Sequence, residues 1–298
     1  MIAEEIKRLK EERNAVILAH YYVDGQVQKL ADYVGDSFYL AKVASKTDKQ
    51  TIVFCGVRFM GESAKLLNPD RCVLLLDESA DCPMAHMATE EQIFRLRAQT
   101  EDLAVVCYIN SSAKLKSLSD VCVTSSNAIK IVGALPNKNI LFIPDANLGG
   151  YVQKHFPEKT FCFSDGYCPV HAVLLPQDIL TEKEVHPQAK FLVHPEARKE
   201  VCELADFIGS TSEIIEYAQK SGADSFILGT EPGVLYELKN RCPEKTFYPV
   251  TPVCEDMKRI TPEKLLACLR DKKYEVRLDN ALCERARLPL ERMLELAR

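Results

Sequence analysis

Twelve cysteines occur in the 298-residue chain, and three of them, Cys82, Cys168 and Cys254, keep a constant interval of 86 residues. Each follows an apolar run that reads as a strand: Cys72 to Leu76, Thr160 to Phe163 and Lys245 to Val250. Each sits in a short loop, Asp81-Cys82-Pro83-Met84, Tyr167-Cys168-Pro169-Val170 or Val253-Cys254-Glu255-Asp256-Met257. Loops that converged would offer three thiolates to one metal centre. A zinc ion usually takes a fourth protein ligand, often from C-x-x-C pairs, and the chain has no C-x-x-C. Three separated cysteines suit a cubic iron–sulfur cluster whose fourth iron stays open, and an open iron is a Lewis acid that assists loss of a hydroxyl as water.

The same interval recurs at other residue types. Ala31-Asp32-Tyr33-Val34-Gly35-Asp36-Ser37, Ser119-Asp120-Val121-Cys122-Val123-Thr124-Ser125 and Ala205-Asp206-Phe207-Ile208-Gly209-Ser210-Thr211 align at steps of 88 and 86. His20, Tyr108 and His194 fall in register at the same two steps, each at the end of an apolar run. The extra two residues lie between Gly56 and Cys82, a span of 26 where Pro144 to Cys168 and Thr230 to Cys254 each span 24. A threefold internal duplication accounts for all of this.

Short continuous apolar strands between amphipathic helices indicate parallel sheets covered on both faces. The fold class expected is α/β, with three pseudo-threefold-related three-layer αβα sandwich units of about four parallel strands each around a central cluster site. The boundaries read as 1–85, 86–171 and 172–261. The tail, 262–298, reads as a helix, a short strand around Tyr274 to Leu278 and an amphipathic helix, packing back on the first unit. Ligands of such sheets bind beyond the carboxyl ends of the strands, where this sequence carries His20 and Tyr22, Tyr108 and Asn110, His194 and Glu196, then Ser37, Ser125 and Thr211, then the three cysteines. Taken singly, Ser37, Ser125 and Thr211 read as helix N-caps and Glu196 as a first-turn glutamate. Together, helix N-termini carrying hydroxyls make an anion site.

The other nine cysteines fit ordinary structural places. Cys55, Cys107, Cys122 and Cys162 lie in apolar strand patterns, Cys202, Cys268 and Cys283 in helical ones, and Cys72 and Cys242 flank loops; free cysteine packs as a small hydrophobe. The net charge of -5 provides no general field for nucleic acid. No apolar stretch approaches the ~20 residues of a membrane span, and Met1 to Lys10 reads as a charged helix instead of a signal peptide. A cytoplasmic, reducing setting with free thiols is expected. No glycine-rich nucleotide loop is present.

With these motifs assembled, the sequence resembles the quinolinate synthase family over nearly its whole length. The resemblance is carried by Leu18-Ala19-His20-Tyr21-Tyr22, Cys82-Pro83-Met84-Ala85, Tyr108-Ile109-Asn110-Ser111, Thr124-Ser125-Ser126-Asn127-Ala128, Pro144-Asp145-Ala146-Asn147-Leu148-Gly149, Cys168-Pro169-Val170-His171, Val193-His194-Pro195-Glu196, Gly209-Ser210-Thr211 and Cys254-Glu255-Asp256-Met257-Lys258. Tyr21 departs from the family's His-Asn-Tyr run. The resemblance implies a [4Fe-4S] cluster on three cysteine ligands, Cys82, Cys168 and Cys254. It implies condensation of iminoaspartate with dihydroxyacetone phosphate to quinolinate, with loss of phosphate and two waters, for NAD synthesis. It also implies a functional link to the L-aspartate-oxidising enzyme that supplies iminoaspartate.

Carried over residue by residue, the catalytic candidates are Tyr22, Glu196 and His194. The substrate-binding set is His20, Ser37, Tyr108, Asn110, Ser125, His171, His194, Glu196 and Thr211. Two other classes remain open: a simple open-cluster hydro-lyase, which would turn over a hydroxy acid alone, and a non-catalytic iron–sulfur or zinc protein, which would not need polar residues at His20, Tyr108 and His194.

Overall fold

In the computed structural model, which describes residues 2–298, twelve strands form three separate four-stranded sheets. The first contains β1 (Ala15–His20), β2 (Tyr33–Gly35), β3 (Thr51–Cys55) and β4 (Cys72–Leu75) in the order β2-β1-β3-β4. The second contains β5 (Leu103–Tyr108), β6 (Val121–Val123), β7 (Asn139–Ile143) and β8 (Thr160–Phe163), and the third β9 (Lys190–Val193), β10 (Phe207–Ile208), β11 (Ser225–Gly229) and β12 (Thr246–Pro249). Their orders, β6-β5-β7-β8 and β10-β9-β11-β12, repeat that of the first, and all the pairings are parallel. Each sheet has helices against it, so the fold is three αβα sandwiches. Every residue of β1 and β3 is buried, as expected for strands covered on both faces.

The repeated aspartates have one structural task. Asp32, Asp120 and Asp206 each accept a backbone N–H from the first strand of their own sheet, from Ile17 at 2.9 Å, Val105 at 2.7 Å and Phe191 at 2.8 Å. The backbone N–H of each aspartate returns a bond to the carbonyl of that same strand residue. These side chains hold the crossover loop leaving the first strand, and they satisfy donors that would otherwise stand unpaired inside the protein.

The first two sheets and the tail share one contiguous apolar core, whereas the third has two smaller cores of its own. Tyr21, although it belongs to the first unit's chain segment, is buried in the third unit's core with Leu192, Ile214 and Phe226. Beside it, buried Gln28 donates from Nε2 to the carbonyls of Tyr21, Val23 and Gly233 at 2.8, 2.9 and 3.1 Å.

In the tail, helix Pro262–Asp271 packs on helix Ile2–Glu12 of the first unit. Helix Asn280–Leu296 lies against Arg58–Leu67 of the first unit and also against β6 and helices Ala113–Lys116 and Ala128–Ala134 of the second. The strand expected around Tyr274 to Leu278 does not form. That stretch makes one antiparallel bridge, Leu74 to Glu275, because Lys272 at φ 50° and Tyr274 at φ 59° interrupt the extended backbone.

Candidate active site

The strand ends of all three sheets open into one cavity, with a volume of about 80 Å³. It is lined by His20, Tyr22, Ser37, Cys82, Tyr108, Asn110, Ser125, Cys168, His171, His194, Glu196, Thr211 and Cys254. Every site residue expected from the sequence is therefore brought to this one place.

The three cysteine loops are fixed by carboxylates. The Cys168 N–H donates to Asp145 Oδ2 at 3.1 Å and the Cys254 N–H to Glu231 Oε1 at 3.2 Å. Asp145 and Glu231 are fully buried and each stands 23 residues before its cysteine. In the first unit the two-residue insertion places Val57 at the equivalent position, and the neighbouring Asp81 accepts the Cys82 N–H at 2.8 Å. Lys258 closes the third loop, donating to Glu231 Oε1 at 2.8 Å and to the Tyr22 carbonyl at 2.6 Å.

Burial pushes the thiols of Cys82, Cys168 and Cys254 upward, and for the first two the Glu196 charge adds to this. All three hold their protons until a cation compensates the thiolates. A soft, positively charged group bound by displacing those protons fits this donor set, and no fourth cysteine lines the cavity.

A second cluster of groups faces the cysteines. His171 Nδ1 lies 2.8 Å from Glu196 Oε2 and 3.2 Å from Cys168 Sγ, while its Nε2 lies 3.2 Å from Thr230 Oγ1. The His194 ring is 4.8 Å from that of His171, centroid to centroid. Burial works to raise the carboxyl of Glu196, but the His194 and His171 rings beside it, with Tyr108 helping, hold it below the usual carboxylate range. Its Oε1 is buried and makes no hydrogen bond of normal geometry.

Burial lowers His20 and His194 to about 3, the Glu196 charge opposing the change only in part. Both rings are therefore neutral near pH 7. Each accepts at Nδ1 from the backbone two residues on, His20 from the Tyr22 N–H at 3.2 Å and His194 from the Glu196 N–H at 3.3 Å, which leaves the proton on Nε2. The phenols of Tyr22 and Tyr108 are raised well above 10, by burial first and the Glu196 charge second, so both remain protonated donors.

The capping expectation is corrected. The N-cap of helix Ser37–Lys46 is Asp36 and that of Thr211–Lys220 is Ser210, each accepting from the backbone N–H three residues ahead. Ser125 lies in the turn before helix Ala128–Ala134, whose N-cap is Asn127. Ser37 and Thr211 stand one residue past the cap and Ser125 two residues before it, so none of the three is the capping residue and all three line the cavity. Thr211 Oγ1 uses its freedom on Tyr22, 2.7 Å from the phenol oxygen, and Thr230 Oγ1 lies 2.9 Å from the same atom.

Sequence reasoning gave no role to Asp145, Thr230, Glu231 or Lys258. The 86-residue frame held the clue for the two carboxylates, which fall at matching places in the second and third repeats.

Three equivalent parallel sheets that point their strand ends, three cysteines and an ionised glutamate into one cavity define a three-unit α/β enzyme. The particular family follows from comparison. The family model described as "Quinolinate synthetase A protein" matches residues 4–295. The chain is 49% identical over 298 residues to the quinolinate synthase of Caldicellulosiruptor saccharolyticus, covering 99% of this chain and 98% of that one. It is 48% identical over 295 residues to that of Fusobacterium nucleatum, covering 99% of each. Quinolinate synthase 2 of Methanosarcina acetivorans is 46% identical over 299 residues, with 100% and 96% covered. The chain belongs to the quinolinate synthase family of enzymes. No helix among the described residues is long and apolar enough to cross a membrane.

Proposed function

We propose that the chain condenses iminoaspartate with dihydroxyacetone phosphate to give quinolinate, phosphate and two waters, as a step in NAD biosynthesis. Its [4Fe-4S] cluster would be held by Cys82, Cys168 and Cys254. Bound to three thiolates, such a cluster supplies a Lewis-acidic iron with an open position.

The single observation that carries this reading is the meeting, in one cavity, of three cysteines with one carboxylate kept ionised. Glu196 is the general base for removing carbon-bound protons in the enolisation and dehydration steps. Tyr22, protonated and hydrogen-bonded to Thr211 and Thr230, returns a proton to a departing oxygen. His194 orients Glu196 through their shared loop and offers Nε2–H to substrate. Neutral His20, Tyr108 and Asn110 supply hydrogen bonds to the substrate carboxylates without trapping the dianion by full charge. Ser37, Ser125 and Thr211 hold anionic groups at helix starts. His171 supports both the Cys168 sulfur and the Glu196 carboxylate. Iminoaspartate would come from an L-aspartate-oxidising enzyme, and a cytoplasmic setting keeps the thiols reduced.

The test is anaerobic reconstitution followed by assay with both substrates, with product identified as quinolinate. Formation that requires dihydroxyacetone phosphate is expected. Absence of quinolinate with the cluster verified, or turnover of a hydroxy acid alone, would overturn the assignment.

A further inference from the structure

Three different metal-binding side chains meet at one edge of the cysteine set. Cys168 Sγ, His171 Nδ1 and a Glu196 carboxylate oxygen all lie within 4.8 Å of one another, and Cys82 and Cys254 are outside the group. The closest approaches are 3.2 Å from His171 Nδ1 to the sulfur and 2.8 Å to the carboxylate. A tetrahedral ion with bonds of about 2.3 Å to sulfur and about 2.0 Å to nitrogen or oxygen separates its ligand atoms by roughly 3.3–3.5 Å. The two His171 contacts need to open by only about half an ångström or less to reach that spacing.

Two further features point to a cation. Nε2 of His171 is held by Thr230 Oγ1 at 3.2 Å, the outer hydrogen bond that orients a metal-binding imidazole and sets its tautomer. Oε1 of Glu196, on a residue only 3% exposed, makes no hydrogen bond of normal geometry, although the Tyr108 hydroxyl lies close enough to favour the carboxylate's charge.

We propose that, before the iron–sulfur cluster is in place, Cys168, His171 and Glu196 form a mononuclear site for a divalent transition ion of the zinc type, with the fourth position open to the cavity. Binding exchanges one proton, that of the Cys168 thiol, for the ion; thiolate and carboxylate then balance its two charges, and the proton leaves to solvent. Because one sulfur serves both sites, this ion and a three-thiolate cluster exclude each other. The proposal does not depend on which reaction the cavity performs.

The test uses the full chain, freed of iron by anaerobic chelation and titrated with Co²⁺ as the spectroscopic probe. One equivalent is expected, with tetrahedral ligand-field bands and a charge-transfer band of single-thiolate intensity. Cys82→Ser and Cys254→Ser should give the same spectrum, while Cys168→Ser should lose the charge-transfer band. His171→Ala and Glu196→Gln should weaken binding by about 10–100-fold or more. His171→Gln replaces His171→Ala if the alanine variant does not fold. A band of three-thiolate intensity that falls in Cys254→Ser, unchanged affinity in the His171 variant, or no cobalt bound by the parent chain would overturn the proposal. None of these readouts uses turnover, so they are separable from failure of the functional assignment.

Discussion

The hydroxyl of Tyr22 lies 2.7 Å from Oγ1 of Thr211, a residue 189 positions later in the chain. Tyr22 belongs to the loop after β1 in the first unit and Thr211 to the first turn of a helix in the third, so the phenol is aimed by a unit other than its own. Tyr22→Phe keeps the ring, which meets His20 edge-on at 4.6 Å, and removes the proton. A fall in kcat of about 100-fold or more is expected, with KM little changed. An unchanged kcat in steady-state assays would exclude Tyr22 as the acid.

Glu196→Gln is expected to lower kcat by about 10²–10⁴-fold, the range for a general base. Because the carboxyl is held below its usual range, the parent's Glu196 stays ionised from about pH 5 upward. The ratio of parent to variant kcat/KM should therefore be flat between about pH 5 and 8. A ratio that shrinks toward the acid end would show that Glu196 titrates within that window.

Stability should fall with acid because His20 and His194 are neutral and buried. Each is lowered to about 3, against about 6.5 in an unfolded chain. Between those values the unfolded state binds more protons, so stability rises with pH there and is lost as pH falls below about 6.5. The slope is about 1.4 kcal/mol per pH unit for each ring. Urea denaturation of the metal-free chain at about pH 6.5 and pH 5 checks this, and His20→Asn should remove roughly half of the dependence.

Replacement of Cys82, Cys168 or Cys254 by Ala should each abolish the visible absorption gained on reconstitution with iron and sulfide. Cys107→Ala and Cys122→Ala, which alter paired residues inside the second sheet, should leave that absorption intact. An intact brown cluster in Cys168→Ala would remove this residue from the ligand set.

Gln28→Ala should cost about 1–3 kcal/mol, since it leaves the carbonyls of Tyr21, Val23 and Gly233 without their shared donor. The loss is read from the urea midpoint. Because Tyr22 follows one of those carbonyls, activity should fall beyond what the lost stability explains.

What could be read from the sequence was whatever the repeat preserved in kind. Cysteine stands at all three loop positions, aspartate at all three crossover positions, and strand ends carry polar rings at His20, Tyr108 and His194. The frame also located the sheets, because each apolar run recurs on schedule. Where the copies differ chemically, the frame gives no sign. Val57 occupies the place of Asp145 and Glu231 in the first copy, so the match between those two carboxylates spans only two of the three repeats. His171 has Ala85 and Met257 at its matching positions, and its contacts with Cys168 and Glu196 depend on a packing of units that no local pattern records. The hydroxyls of Ser37 and Thr211 were displaced by one residue from their expected caps. Helix ends are the least certain part of any sequence reading, and here that single residue separates capping from lining the cavity. Lys272 and Tyr274 adopt left-handed backbone without glycine, which apolar patterning cannot reveal, and this removed the expected tail strand.

Each third of the chain supplies one cysteine, and the last helix, Asn280–Leu296, seals the first two units only after Cys254 has been made. Synthesis proceeds from the N-terminus, with domains folding as they emerge. A chain stalled before residue 254 therefore carries at most two of the three cavity thiols, and one stalled before Asn280 lacks the helix that covers the first two units. Completion of the three-cysteine cavity thus comes late in synthesis, ahead only of the tail that closes the first two units over it.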